Sequence, residues 1–210
     1  GEPFVEEYTL VSGADYLLGC AGDEGAKDLV TVSNLSSSRA LRDVTEAHGG
    51  KYYASAVGEV NVTTLMREKG ALIGGEGNGG VIYPAIHAGR DAMVGVALFL
   101  SNLAHKKMKV SALKKTYPEY HIAKNRIELS DKSLIDKILN RLQEIFADQD
   151  VNTVDGVKIS FEDKREWVHL RKSNTEPIIR IYSEAKTVER AVALGNEVIE
   201  VARGIINEGA

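Results

Sequence analysis

The sequence predicts a three-layer α/β/α domain with a mainly parallel sheet, followed by a small α+β domain with an antiparallel sheet. From residue 29 to 103, short apolar runs alternate with helical stretches, the pattern of a parallel sheet covered by helices. Beyond residue 130, an amphipathic helix precedes three apolar runs joined by short turns, which favour antiparallel pairing. We expect the domains to cover residues 1–117 and 118–210, with the lysine-rich stretch 106–125 as an irregular linker.

The first domain is expected to begin with a helix from Glu7 to Leu18 that covers the sheet. The elements expected after it are a strand at 29–32, a helix at 38–48, a strand at 52–57, a helix at 60–69, a strand at 71–73 and a helix after residue 90. Gly49, Gly50 and Gly70 stand where C-terminal caps of the first two of these later helices belong.

In the second domain, Ser130 is expected to cap a helix with one apolar face. That face consists of Leu134, Ile135, Ile138, Leu139, Leu142, Ile145 and Phe146. Strands are expected at 157–161, 167–171 and 178–182, with a turn at 162–164 between the first two. Thr187 is expected to cap a closing helix that packs on this sheet.

Composition excludes several classes of function. The 210 residues are 43% hydrophobic and 27% charged, as in an ordinary soluble protein, and the formal net charge of −4 argues against a general nucleic-acid binder. Cys20 is the only cysteine, so no intrachain disulfide forms, which suits a cytoplasmic protein. The acidic start lacks a basic signal-peptide region, and the apolar stretch 92–104 is too short to span a bilayer. We therefore expect no nucleic-acid or membrane partner.

The ten residues 171–180, Arg-Lys-Ser-Asn-Thr-Glu-Pro-Ile-Ile-Arg, combine fixed cations with short hydroxyl and amide donors between two apolar runs. Guanidinium groups offer a planar fork of donors to phosphate oxygens, and Ser173 and its neighbours add further donors. The pattern therefore predicts a phosphate-binding turn. The alternative is a plain hairpin connection whose arginines form surface ion pairs.

A second unusual stretch, 74–80, reads Gly-Gly-Glu-Gly-Asn-Gly-Gly and places a carboxylate and an amide on a nearly bare backbone. Such groups suit sugar hydroxyls, and in parallel α/β sheets ligands bind beyond the carboxyl ends of strands. The alternative is a flexible glycine-rich linker. We expect no metal site, because the five histidines lack ligand spacing and the calcium-loop pattern that begins at Asp148 has Thr153 where glycine is needed.

Together the two stretches resemble the α-D-phosphohexomutases, the superfamily of phosphoglucomutases, phosphomannomutases and phosphoglucosamine mutases. Residues 75–79 are similar to the family's sugar-binding Gly-Glu-x-Ser/Asn-Gly loop, and residues 171–177 to its phosphate-binding loop. The pairs Ser38 with Arg39 and Gly58 with Glu59 resemble further family positions. The resemblance covers nearly the whole chain, as the third and fourth of four domains.

This resemblance implies a phosphoprotein isomerase that interconverts hexose 1-phosphate and hexose 6-phosphate through a phosphoserine and a bisphosphorylated sugar. The hexose phosphate substrate turns around between the two transfers, and Glu76 and Asn78 are expected to bind its hydroxyls in either orientation. The expected sugar-binding residues are Glu76, Asn78, Arg39, Glu59 and Arg90. The expected phosphate-binding residues are Arg171, Ser173, Asn174, Thr175 and Arg180, although Arg180 could instead only pair on the neighbouring strand.

The family's phosphoserine motif and its Asp-x-Asp-x-Asp-Arg magnesium loop do not occur in this sequence. The resemblance therefore implies that the catalytic serine and the Mg²⁺ ligands belong to N-terminal domains of the same polypeptide. We expect this chain to begin just after the metal loop, to contain no catalytic residue, to bind no metal and to lack mutase turnover. The alternative is a stand-alone phosphosugar-binding or regulatory module.

Two departures from the family pattern leave the sugar open among glucose, mannose and glucosamine. Many relatives carry a basic residue where this chain has Val60, and a histidine where it has Gly80. His87 or Arg90 could supply the missing contacts. Asp91 could cap the helix that follows it.

Overall fold

A computed structural model describes residues 3–129, 134–173 and 176–208 of the chain. The chain divides into two compact units, Gly1–Glu119 and Tyr120–Ala210. None of the helices in the described part of the chain is both long enough and apolar enough to cross a lipid bilayer. The expected cap at Ser130 lies outside the described residues.

The first unit contains a four-stranded sheet with helices on both faces. Its elements, in chain order, are α1 (Glu7–Asp23), β1 (Val30–Asn34), α2 (Ala40–Ala47), β2 (Lys51–Ser55), α3 (Glu59–Lys69), β3 (Ile73–Glu76), β4 (Gly80–Ile82), α4 (Ala92–Lys106) and α5 (Val110–Lys114). The strand order is β2-β1-β3-β4. Strand β1 pairs in parallel with both β2 and β3, and β4 is antiparallel to β3. The predicted mainly parallel sheet is therefore confirmed.

Helix α3 packs against β1, β2 and β3, whereas α1 contacts both α2 and α4 on the opposite face. On the α3 side, Val32 and Val62 are fully buried and Met66 nearly so. Gly70 ends α3 in a left-handed conformation with φ of 63°, as its position predicted. Asp91 caps α4 by accepting the backbone N–H groups of Met93 and Val94.

The other face of this sheet holds a buried polar cluster between α1 and α4. Asp15 accepts hydrogen bonds from Lys106 at 2.5 Å and from the Tyr117 hydroxyl at 2.8 Å, and its Oδ1 lies 3.0 Å from Nε2 of His48. Burial opposes ionisation of Asp15, but these hydrogen bonds outweigh it and lower its pKa. These charge-assisted contacts link α1 to α4 and to the C-terminal end of α2.

The second unit contains a five-stranded antiparallel sheet. Its elements are β5 (His121–Glu128), α6 (Leu134–Ile145), β6 (Asp150–Asn152), β7 (Val157–Phe161), β8 (Glu166–Lys172), β9 (Ile178–Ala185) and α7 (Val188–Glu208). The strand order is β5-β9-β8-β7-β6, with antiparallel pairing throughout. Helices α6 and α7 pack on one face and bury Leu142, Leu170 and Ile181 completely. The Thr187 hydroxyl accepts the Arg190 N–H, so its predicted capping role is confirmed.

Two expectations about the elements were wrong. The stretch 106–125 is not an irregular linker, because it contains α5 and the first half of β5. The second sheet has five strands instead of three, since β5 and β6 add an edge on each side. The missed elements are short or lie at an edge, where one face of the strand carries polar residues and the apolar pattern is weak.

Candidate functional site

Glu76 is the last residue of β3 and lies beside Asn34, the last residue of the parallel strand β1. The chain passes from β1 to β2 on one side and returns to β3 on the other, so these residues mark the switch point of the sheet. Ligands of open α/β sheets bind at such points. Glu76 is only 6% exposed, which is unusual for a carboxylate and requires compensating hydrogen bonds.

Those compensating contacts come from three different segments. Oε1 of Glu76 accepts Nδ2 of Asn34 at 3.0 Å and the backbone N–H of Gly58 at 3.2 Å. Oε2 lies 3.4 Å from Nη1 of Arg90. An ionised carboxylate has about four acceptor positions. Oε2 therefore keeps acceptor capacity for hydroxyl groups of a ligand while the side chain is held in place through Oε1.

Arg90 also connects this carboxylate to Glu59. Its backbone N–H and its Nε each donate to Glu59 at 2.8 Å. These two hydrogen bonds are the main cause of a lowered pKa of the Glu59 carboxyl, and nearby His87 acts in the same direction. The structure thus brings together three of the predicted sugar-binding residues, Glu59, Glu76 and Arg90.

The absence of a side chain at Gly80 makes this arrangement possible. A Cβ atom at Gly80 would lie 2.6 Å from Cδ of Arg90, too close for two carbon atoms. Arg90 therefore fills the space beside β4 that a side chain at position 80 would need. The chain departs from the family pattern at this position, and the arginine lies where the missing side chain would begin.

The tip of the glycine-rich stretch 74–80, called the glycine loop below, is held by Glu7 of α1 and by residues at and just after the end of β1. The backbone N–H of Gly77 donates to Oγ of Ser37 at 2.9 Å, and this hydroxyl donates to Oδ1 of Asn34 at 3.0 Å. Glu7 accepts the Ser38 N–H at 2.9 Å, and its carboxylate occupies the space that a Cβ at Gly77 would need. Asn78 is exposed, with Oδ1 accepting the N–H of Gly80.

Sequence reasoning missed Asn34, Ser37 and Glu7. Asn34 is the last residue of β1 and Ser37 lies three residues further on, so polar side chains at the carboxyl end of a predicted parallel strand were an available signal. No local pattern marks Glu7. Arg39 was predicted, and it lies before α2 in an ion pair with Asp43 at 3.4 Å. Its side chain is 10% exposed, so little of it is open to a ligand.

In the second unit, Arg171 on β8 lies directly opposite Arg180 on β9. Nη2 of Arg180 is 3.6 Å from Glu176, whereas Nε of Arg171 is buried and no described residue accepts a hydrogen bond from it. The N–H of Ser173 donates to Ile178 O and closes the turn. Asn174 and Thr175, the other predicted phosphate-binding residues, lie outside the described residues.

The described part of the chain contains no cluster of side chains that could bind a metal ion. No group of three or more His, Cys, Asp or Glu side chains is placed there to hold an ion. The carboxylates of Glu59 and Glu76 are paired with Arg90, whose positive charge repels a cation, and Mg²⁺ needs several oxygen ligands. These residues therefore do not fit a Mg²⁺ ion.

Two domain models of one protein family match this chain. Residues 7–120 match the model of the phosphoglucomutase/phosphomannomutase α/β/α domain III, and residues 126–201 match the C-terminal domain of the same family. The chain belongs to the phosphoglucomutase/phosphomannomutase family.

Two curated relatives are similar to most of this chain, which covers less than half of their length. It is 33% identical over 178 residues to a probable phosphoglucosamine mutase of Methanopyrus kandleri, covering 83% of this chain and 38% of that protein. It is 35% identical over 176 residues to a phosphoglucomutase/phosphomannomutase of Thermococcus kodakarensis, covering 81% of this chain and 38% of the relative. The chain thus spans about two fifths of the length of these relatives.

Solved structures share the fold at lower identity. A phosphoglucomutase/phosphomannomutase family protein of Burkholderia thailandensis superposes with a TM-score of 0.74 at 20% identity, over 97% of this chain and 43% of that one. An N-acetylphosphoglucosamine mutase of Aspergillus fumigatus, in complex with GlcNAc-6P and magnesium, gives a TM-score of 0.68 at 16% identity, over 95% and 43%.

Proposed function

We propose that this chain supplies the sugar-hydroxyl and phosphate recognition of a phosphohexomutase that interconverts hexose 1-phosphates and hexose 6-phosphates. The reaction proceeds through a bisphosphorylated sugar and a phosphoserine. The serine, the Mg²⁺ ligands and the N-terminal domains that carry them lie outside these residues, so this chain alone has no turnover. The cytoplasm is the compartment, a choice supported by the single cysteine.

The observation that carries the proposal is the buried carboxylate of Glu76 at the switch point of the sheet. Because Asn34 and Gly58 hold Oε1, the second oxygen is oriented in advance for hydroxyl groups of a sugar. Two neighbouring hydroxyls of a hexose can donate to one carboxylate in either orientation of the ring. This tolerance suits a substrate that has to turn around between two phosphoryl transfers.

In the proposed reaction Arg171 and Arg180 bind the phosphate group that is not reacting. Two guanidinium groups opposite each other on adjacent strands repel, and a phosphate dianion relieves that repulsion. Ser173, Asn174 and Thr175 would add short donors to the same phosphate. A phosphate held away from the reacting end orients the sugar without contributing to bond breaking.

Arg90 takes part in sugar binding in place of the histidine that many relatives carry at the end of the loop. Support comes from its position over Gly80 and its contacts with Glu59 and Glu76. Arg90 and the exposed amide of Asn78 present donors to ring hydroxyls, complementary to the acceptor at Glu76. Names of the relatives leave glucose, mannose and glucosamine phosphates as candidate substrates.

The proposal is tested by comparing two probes, glucose 1-phosphate and inorganic phosphate, in calorimetric titrations of the purified chain. Arg171→Ala should weaken binding of both probes about tenfold or more, because a charge-assisted phosphate contact is lost. Glu76→Gln should weaken only glucose 1-phosphate, because it replaces a hydroxyl acceptor and leaves the phosphate site intact. Arg203→Ala, a change of an exposed arginine on α7, serves as the control.

Two results would contradict the proposal. The first is unchanged binding of glucose 1-phosphate by Arg171→Ala, which would remove the turn from the site. The second is mutase turnover by the purified chain in a preparation free of other mutases, because the proposal assigns the phosphoserine to residues outside this chain.

A further inference from the structure

Three arginines form a row across neighbouring strands of the second sheet. In the antiparallel register, Arg180 of β9 lies opposite Arg171 of β8 on one side and opposite Arg126 of β5 on the other. Residues directly opposite each other in antiparallel strands point to the same face. Arg126, Arg180 and Arg171, the arginine row, therefore extend from one face of the sheet, opposite the face covered by α6 and α7.

Carboxylates near the arginine row balance only part of its charge. Arg126 Nη2 lies 2.9 Å from Glu128 and Arg180 Nη2 lies 3.6 Å from Glu176, and these two carboxylate side chains are 71% and 53% exposed. The buried Nε of Arg171 has no acceptor among the described residues. Like charges placed directly opposite each other destabilise a sheet. The row therefore keeps an uncompensated positive charge that an anion would neutralise.

Strand β5 is attached directly to the turn that carries the predicted phosphate ligands. The N–H of Leu129, just after β5, donates to Pro177 O at 3.0 Å. Pro177 belongs to the turn between β8 and β9, whose Ser173 N–H bonds to Ile178 O. This pairing fixes the register of β5, so Arg126 stays beside Arg180 near the turn. The backbone pairing therefore places Arg126 near the turn, whichever rotamer its side chain adopts.

We infer that Arg126 is a further phosphate-binding residue, which contacts the bound phosphate from the β5 side of Arg180. The inference rests on the proposed function, because it assigns the anion to Arg171 and Arg180. A phosphate monoester carries a charge of about −2 near neutral pH and offers three acceptor oxygens. When phosphate binds, Arg126 exchanges its exposed contact with Glu128 for a contact with this dianion. Exposed ion pairs are weak, so the exchange costs little.

The chain contains a matched control for this residue. Arg203 on α7 is 62% exposed and pairs with Glu200 at 2.7 Å, and Arg126 is also 62% exposed and pairs with Glu128 at 2.9 Å. Arg126→Gln and Arg203→Gln therefore remove the same charge and the same kind of ion pair. They differ in that only Arg126 belongs to the arginine row. Both variants have the same net charge. Any difference between them in phosphate binding is therefore due to the position of Arg126 in the arginine row.

The experiment is an NMR titration of the chain with glucose 1-phosphate, which measures weak binding and reports on folding in the same spectra. Arg126→Gln should raise the Kd about fivefold, the effect of losing one exposed charge-assisted contact. Arg126→Lys, which keeps the charge but not the planar fork, should raise it less. Arg203→Gln should leave the Kd unchanged. Without ligand, Arg126→Gln should unfold at the same temperature as the unaltered chain or at a higher one.

The outcomes separate this inference from the proposed function. Equal Kd values for Arg126→Gln, Arg203→Gln and the unaltered chain, with binding lost in Arg171→Ala, would overturn the role of Arg126 alone. Retained binding in Arg171→Ala, or no binding of glucose 1-phosphate by the unaltered chain, would overturn both. Weaker binding by Arg126→Gln together with a lower unfolding temperature would assign Arg126 a structural role and would also overturn the inference.

Discussion

Glu76 and Arg171 are the central charged residues of the two loops, and their surroundings differ in hydrogen bonding. Glu76 is buried with two donors on one oxygen and an arginine near the other. Arg171 faces a second arginine across the strand pair, and no described residue accepts from its buried Nε. Glu76 is therefore satisfied without a ligand, whereas Nε of Arg171 gains an acceptor among the described residues only when an anion binds. Substitution of Glu76 should therefore lower the free energy of unfolding, whereas substitution of Arg171 should weaken phosphate binding and leave stability unchanged or raise it.

The largest expected loss of stability tests whether the glycine loop is a rigid part of its sheet. In Gly75→Ala, the new Cβ would overlap the backbone oxygen of Gly80 on the adjacent strand, and a paired strand has no flexible side chain to yield. We expect the free energy of unfolding to fall by about 3 kcal/mol, measured by urea denaturation. Gly22→Ala is the control, because nothing lies within 4 Å of a Cβ in that helix. An equal change in the free energy of unfolding for the two substitutions would show that the loop is not rigid.

Substitutions of the two charged residues, Glu76 and Arg171, should have different effects on the free energy of unfolding. Glu76→Ala leaves the buried Asn34 amide and the Gly58 N–H without their acceptor, so we expect a loss of about 2–3 kcal/mol in the free energy of unfolding. Arg171→Ala relieves repulsion with Arg180 and should leave stability unchanged or raise it. Denaturation of both variants in phosphate-free buffer provides the measurement. A large loss in Arg171→Ala would remove the contrast between the loops.

A pH-dependent effect of intermediate size is expected beside the arginine row. His169, on the same strand as Arg171, donates from Nε2 to the backbone oxygen of Asp155 at 2.6 Å. Burial, assisted by Lys158 and Arg171, lowers the pKa of His169 to about 4. The unfolded chain then binds a proton near pH 6.5 that the folded chain binds only near pH 4, so stability falls as the pH drops through this window.

We therefore expect His169 to account for a loss of about 2 kcal/mol between pH 8 and pH 5. Denaturation of His169→Gln at both pH values tests this, because glutamine keeps a donor but does not titrate. The difference between the variants at pH 8, where the histidine is neutral in both states, gives the cost of the substitution itself. The same pH dependence in both proteins would show that His169 is not the cause.

The smallest effects concern the two helix caps, one in each unit. Asp91 accepts the N–H groups of Met93 at 2.9 Å and Val94 at 3.1 Å, whereas Thr187 accepts the N–H of Arg190 at 3.2 Å. Asp91→Ala should cost about 1 kcal/mol, and Thr187→Ala about half of that, because the carboxylate makes two bonds and interacts with the helix dipole. Thermal unfolding of both variants would show the order, and a larger loss in Thr187→Ala would reverse it.

The repeating apolar pattern was sufficient to predict most of the fold. Alternating runs predicted the parallel sheet, and the glycine at 70 and the carboxylate at 91 marked a helix end and a helix start. Helix α5 and strands β4, β5 and β6 were missed. Helix α5 has five residues, too few to form by propensity alone, and the burial of Leu113 holds it in place. The polar face of β5 conceals its apolar period, and its partner β9 lies far along the chain.

The candidate site was predictable where its chemistry is concentrated in a short stretch of sequence. Glu76, Arg90 and Arg171 belong to such stretches or adjoin them. Asn34, Glu7 and Arg126 do not, because strand register and helix packing bring them to the loops from distant positions. A single sequence reveals the residue types at these positions, but their partners depend on contacts that form only in the folded sheet.

The contact between Glu7 and Gly77 has a consequence for how these two positions can vary. A Cβ at Gly77 would collide with the Glu7 carboxylate, so a side chain at 77 and a glutamate at 7 compete for the same volume. A side chain at 77 should therefore displace the end of the flexible Glu7 side chain and cost its hydrogen bond from the Ser38 N–H, so an alignment of homologues should favour smaller residues at 7 where 77 is larger. The first turn of α1 would then influence which amino acid follows Glu76.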